Sequence, residues 1–187
     1  MKRLFIIHGY QASPEDHWFK WLASKMKKYN YQSVIVPLPN SSHPIQQQWR
    51  NRLQDYMENA LDEDSIIVAH SLGVIAVLEY LSHANLTREI KGLFLVSGFA
   101  QPLNTISELD DFVQACNINY ESIPARLIYT IGATEDPAVP INYTEALSDK
   151  LNTNTIKIDH QGHFLGREGY KSFPELFELI QNSINDH

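Results

Sequence analysis

Six short apolar runs punctuate the chain, at 4–7, 33–36, 66–69, 93–96, 127–131 and 155–158, and each is rich in β-branched or aromatic residues. Runs of this length with no polar alternation predict strands buried on both faces. Between them lie longer segments in which apolar residues recur at three- and four-residue spacing, at 14–29, 45–61, 72–84, 106–116, 142–151 and 170–184, and these predict helices. Strand and helix alternate in order. That pattern predicts an α/β fold: a mainly parallel sheet of about six strands with helices on both faces. The first helix is expected to start at Pro14, with Ser13 as its cap and Glu15 and Asp16 in its first turn. Asn40-Ser41-Ser42-His43-Pro44 is the most loop-like stretch, short enough to be a connection within one domain spanning residues 1–187.

Composition narrows the function. Of 187 residues, 43% are hydrophobic and 20% charged, ordinary for a globular protein, and the formal net charge of -7 argues against nucleic acid as a partner. The one cysteine, Cys116, leaves no intramolecular disulfide to form, and the apolar run after Met1 is too short for a signal-peptide core or a membrane span. A cytoplasmic location without membrane attachment is therefore expected.

In open parallel sheets chemistry gathers beyond the carboxyl ends of the strands, so the polar residues just after each run carry the functional reading. The run at 66–69 leads into His70-Ser71-Leu72-Gly73 and then a helical segment. This is the strand, nucleophile, helix order of a nucleophile elbow, which holds its serine in a strained conformation and needs small residues two before and two after it. Gly73 meets that need, and Ala69 meets it with one methyl more than the consensus glycine. The string also fits a serine that merely caps a helix.

Its partners strengthen the catalytic reading. The chain order of the fold is Ser, then Asp or Glu, then His. Asp136 follows the run at 127–131 in Asp136-Pro137-Ala138-Val139-Pro140, with Glu135 as the competing carboxylate and a turn aspartate as the bland alternative. His163 follows the last strand in His160-Gln161-Gly162-His163-Phe164, where Gly162 is expected to permit the turn. His160 is the rival base, and His160 with His163 lacks the further ligands a metal site requires, so no metal is expected. An oxyanion hole needs two backbone N–H donors. Leu72 supplies one, and Tyr10, in the His8-Gly9-Tyr10 turn after the first strand, is the expected second. His17, Trp18, Phe99, Phe164 and Leu165 fall beside these loops and are candidates for the substrate pocket, although Trp18, at helical spacing with Trp21 and Leu22, also reads as core.

The strings Ile6-Ile7-His8-Gly9-Tyr10, His17-Trp18-Phe19, Val68-Ala69-His70-Ser71-Leu72-Gly73, Leu95-Val96-Ser97-Gly98-Phe99 and Gly162-His163-Phe164 resemble the small serine hydrolases of the retinoblastoma-binding protein 9 and YdeN family over essentially the whole chain. The resemblance implies a minimal α/β-hydrolase fold with no cap domain, a triad of Ser71, Asp136 and His163, and the Ala-x-Ser-x-Gly form of the elbow. The Leu-x-Cys-x-Glu motif tied to the retinoblastoma-type partner is missing, because Cys116 stands in Gln114-Ala115-Cys116-Asn117-Ile118, so that partner is not implied. The expectation is a serine hydrolase of small acyl esters or amides with no cofactor. The rivals are a non-catalytic binding protein on the same fold and, more distantly, a metal-dependent hydrolase.

Overall fold

The computed structural model of the protein describes residues 1–185. Its centre is a six-stranded sheet of β1 (Lys2–Ile7), β2 (Tyr31–Val36), β3 (Ile66–His70), β4 (Ile90–Val96), β5 (Ala125–Ala133) and β6 (Thr155–Ile158). Every pairing is parallel and the order is β2-β1-β3-β4-β5-β6. The connections reverse direction between β1 and β3, and at such a switch point a crevice opens beyond the carboxyl ends of the two strands. The turns holding Tyr10 and Ser71 leave the sheet there.

Burial explains why the strands lack polar alternation. Phe5, Ile7, Ile67, Ala69, Leu93 and Leu95 point into one core, under α2 (Gln46–Met57), α3 (Leu72–His83), α4 (Asp110–Ala115) and α5 (Ile141–Lys150). Their chain neighbours Leu4, Ile6, Ile66, Val68, Phe94 and Val96 point into the other, under α1 (Phe19–Met26) and α6 (Pro174–Asn185). Both faces of the sheet are thus dry. Helix α2 buries Trp49, Leu53 and Met57, a stripe at four-residue spacing, whereas α3 has ten consecutive buried residues because it lies beneath the site and between other elements. Between β4 and β5 there is only α4 with short 3-10 turns at Ser107–Leu109 and Tyr120–Ser122, so no cap domain is inserted. No helix among the described residues is long and apolar enough to cross a membrane.

The first helix departs from expectation. It begins at Phe19, not Pro14, because local side-chain bonds compete with the helix. Asp16 Oδ2 accepts from Ser13 N–H at 2.8 Å, Ser13 Oγ accepts from Glu15 N–H at 3.2 Å, and His17 sits at φ 52°, a left-handed conformation that a helix cannot contain. Ser13 therefore serves a turn and caps nothing. The segment at 106–116 likewise divides into a 3-10 turn and α4, and α6 waits for Pro174, whose fixed φ suits the first helical position.

Candidate active site

Ser71 stands between β3 and α3 at φ 56° and ψ -124°, the strained backbone of an elbow. Gly73 is required two residues later: a Cβ there would lie 2.4 Å from the His8 carbonyl oxygen and 2.8 Å from that of Ile7. Gly9 answers from the other side, since its Cβ would stand 2.9 Å from His70 O and 3.0 Å from Ser71 Cβ. The role of Gly9 is this close approach; its φ is not in the left-handed region. Together the two glycines press the turn after β1 against the turn after β3.

His8 fixes that first turn. Its buried imidazole accepts from Leu38 N–H at Nε2 (3.0 Å), which leaves the proton on Nδ1 to donate to Gly9 O (3.0 Å). Burial holds its pKa below the usual histidine value, against the opposing pull of Gly9 O and Asp16. The neutral ring straps the Gly9–Tyr10 backbone to the strand β2 exit. Neither Tyr10 N–H nor Leu72 N–H donates to a carbonyl among the described residues, so both remain free for an incoming oxyanion.

Asp136 is buried, and its Oδ1 accepts from Ala138 N–H and Val139 N–H, each at 2.9 Å. That aims Oδ2 at His163 Nδ1, 2.6 Å away. Glu135, the competing carboxylate, is exposed and makes no such contact. His160 turns from the cavity, stacked on Phe164 with Nε2 3.3 Å from Glu168. His70 is also excluded as base: its Nε2 donates to the carbonyl of His163 (2.9 Å), and burial first, then the rings of His163, His17 and His8, push its pKa well below the ordinary value. No group of three or more His, Cys, Asp or Glu among the described residues could hold a metal ion.

Ser71 and His163 open on one cavity of about 400 Å³, which Tyr10, His17, Ile106, Ala138 and Leu165 also line. The Ser71 hydroxyl makes no hydrogen bond to His163 here, and contacts of this kind often tighten only when substrate binds. Three pocket expectations are corrected. Trp18, Phe99 and Phe164 have no exposed surface and lie in the two cores, Trp18 donating its indole N–H to Phe164 O at 3.2 Å. Phe164 adopts φ 56°, so the chain turns over after His163 and the phenyl ring is driven inward onto Phe173. Gly162 is corrected too. Its φ is ordinary, and what it supplies is space, because a Cβ would lie 2.6 Å from the Glu168 carboxyl carbon.

Comparisons with known proteins identify the family. The family model described as serine hydrolase matches residues 4–182. The chain belongs to the serine hydrolase family. Within that family it is 35% identical to YdeN of Bacillus subtilis strain 168 over 181 residues, covering 96% of this chain and 94% of YdeN. It is 26% identical to the serine hydrolase RBBP9 of Rattus norvegicus over 172 residues, covering 89% and 86%. The crystal structure of the B. subtilis ydeN gene product superposes with a TM-score of 0.94 at 33% identity, covering all of both chains. The serine hydrolase fold described above, without a cap, is therefore shared by a solved relative along its full length.

Sequence reasoning missed two residues of this candidate site. The sequence places His8 in the expected oxyanion-hole turn with no role of its own, and it assigns none to Glu168. The only sequence signal for either is the polar type at a position next to a glycine-bearing loop, which does not specify a partner 30 residues away, as Leu38 is from His8.

Proposed function

We propose that the protein hydrolyses small acyl esters or amides through an acyl-enzyme on Ser71. The observation that carries this reading is the 2.6 Å contact between Asp136 Oδ2 and His163 Nδ1, made at the wall of the cavity onto which Ser71 opens. With Nδ1–H donated to Asp136, the free Nε2 is the base. As Ser71 Oγ bonds to the acyl carbon, its proton passes to His163 Nε2, and Asp136 stabilises the imidazolium. The carbonyl electrons move onto oxygen, where Tyr10 N–H and Leu72 N–H receive them, each such donor being worth about 3 kcal/mol in the transition state. His163 returns the proton to the leaving group, the C–O or C–N bond breaks, and a water activated by the same nitrogen then releases the acid.

The pocket supports short acyl groups. Roughly 400 Å³ of space, walled by Ile106, Ala138 and Leu165 and uncovered by any inserted domain, leaves the tail of a long chain in water. Each unburied methylene forgoes about 0.8 kcal/mol.

The test is labelling with a fluorophosphonate, then turnover of p-nitrophenyl acetate, butyrate and palmitate. The expected result is one adduct, at Ser71, absent in Ser71→Ala and His163→Gln, with higher kcat/KM for the short esters. Undiminished labelling of Ser71→Ala would sink the assignment, and a preference for palmitate would overturn the pocket reading.

A further inference from the structure

The segment that carries His163 is gripped from below by a carboxylate that belongs to no step of the chemistry. Glu168 Oε1 accepts from His163 N–H at 2.9 Å and from Leu165 N–H at 2.8 Å, and Oε2 accepts from His163 N–H at 3.2 Å. His160 Nε2 adds a fourth contact at 3.3 Å. The two main-chain donors flank Phe164, whose left-handed φ of 56° turns both N–H groups to the same side and makes a concave anion nest. Glu168 fills the nest from within the same chain. Gly162 completes it, since any side chain there would collide with the carboxylate at 2.6–2.7 Å.

This arrangement is local to the base. The Glu168 side chain is one-fifth exposed, so its charge sits where hydrogen bonds count. Burial alone would raise its pKa, but the N–H groups of Leu165 and His163, with His160, hold it below the usual glutamate value. A second tie, Gly166 N–H donating to His17 Nδ1 at 2.9 Å, fastens the same loop to the turn after β1. Without the carboxylate, the N–H groups of His163 and Leu165 lose their shared acceptor on either side of the strained Phe164. The backbone of His163 would relax, and its ring would leave the line between Asp136 and Ser71.

We propose that Glu168 is the positioning residue for His163, holding the imidazole in register for proton transfer through the main chain and touching no substrate. The proposal rests on the reading of His163 as the base. It gives this short loop, Gly162 to Glu168, a single purpose: the glycine makes room, the left-handed phenylalanine aligns the donors, and the glutamate clamps them.

The test compares full-length wild type with Glu168→Ala, Glu168→Gln and Gly162→Ala in p-nitrophenyl acetate turnover, with the active-site fraction titrated by fluorophosphonate. For Glu168→Ala, kcat per folded site should fall about 10²-fold, the scale of a misplacement near 1 Å, with KM changed less than about twofold. Glu168→Gln keeps one carbonyl acceptor and should lose less. Gly162→Ala, which displaces the carboxylate without removing it, should follow Glu168→Ala and carries the test if that variant fails to fold. The downfield proton NMR signal of the His163–Asp136 hydrogen bond should broaden or vanish in Glu168→Ala. Wild-type kcat per site with an unchanged proton signal in Glu168→Ala and Gly162→Ala would overturn the proposal. Absence of Ser71-dependent turnover in wild type would instead overturn the reading of the base on which it rests.

Discussion

Acid should unfold this protein through histidines that its site keeps neutral, and His70 makes the effect measurable. The ring is wholly buried between the His163 loop and the aromatic cluster of Trp18 and Phe19, and burial, followed by the neighbouring imidazoles, holds its pKa well below ~6.5. A folded-state pKa below the unfolded value means that the unfolded chain binds the extra proton, so stability is full above ~6.5 and is lost as pH falls. Between pH 6.5 and 5, a histidine kept neutral by folding costs at most about 1.4 kcal/mol per pH unit, or at most about 2 kcal/mol in all. That is a large part of a typical 5–15 kcal/mol. His8 and His17 are shifted in the same direction, chiefly by burial, and add to the slope. Glu168 is shifted low and loses its contribution only below the ordinary glutamate range, so it does not act in this window. The assay is urea unfolding of wild type and His70→Gln at half-unit steps from pH 5 to 8. The amide nitrogen of Gln can still donate to His163 O, so the difference between the two curves isolates the titration. The variant should be flatter by about 1 kcal/mol per unit below pH 6. Parallel curves would refute the reasoning.

Two further outcomes follow from packing. Gly73→Ala places a methyl 2.4 Å from a main-chain oxygen that cannot withdraw, so a loss of about 3 kcal/mol or more, or no soluble protein, is expected from thermal melts. Trp18→Phe leaves the Phe164 carbonyl without its indole donor and should lower stability by about 1–3 kcal/mol while KM for p-nitrophenyl acetate stays unchanged; a raised KM with intact stability would return Trp18 to the pocket.

The strands were legible because burial on both faces writes itself as uninterrupted apolar runs, and each of the six expected runs lies inside a strand. The positions of Ser71, Asp136 and His163 were legible for a related reason, since a parallel sheet gathers at one edge whatever follows its strands. Helix starts were not. The turn at Ser13–Asp16 is made by side-chain bonds whose strength relative to a helix depends on where His17 must go, and that is set by contacts with residue 166, far along the chain. Nor could adjacency to a catalytic loop tell which way a side chain points. Phe164 follows His163 directly and faces the opposite way, because one left-handed residue inverts the path.

The distribution of those left-handed residues has a consequence for how the protein can change. At the amino edge of the sheet they are Asn30 and Asn152, the type that tolerates this conformation best. Beyond the carboxyl ends they are Gln11, His17, Asn40, Ser71, Ser97 and Phe164, of which only His17 and Asn40 are of the tolerant kinds. Each intolerant residue stores about 1–3 kcal/mol that a glycine there would release. Selection for thermal endurance and selection for turnover therefore pull on the same few residues in opposite directions. A hardier descendant of this chain would be expected to soften at Gln11 or Ser97 first, and to keep its tension longest at Ser71 and Phe164.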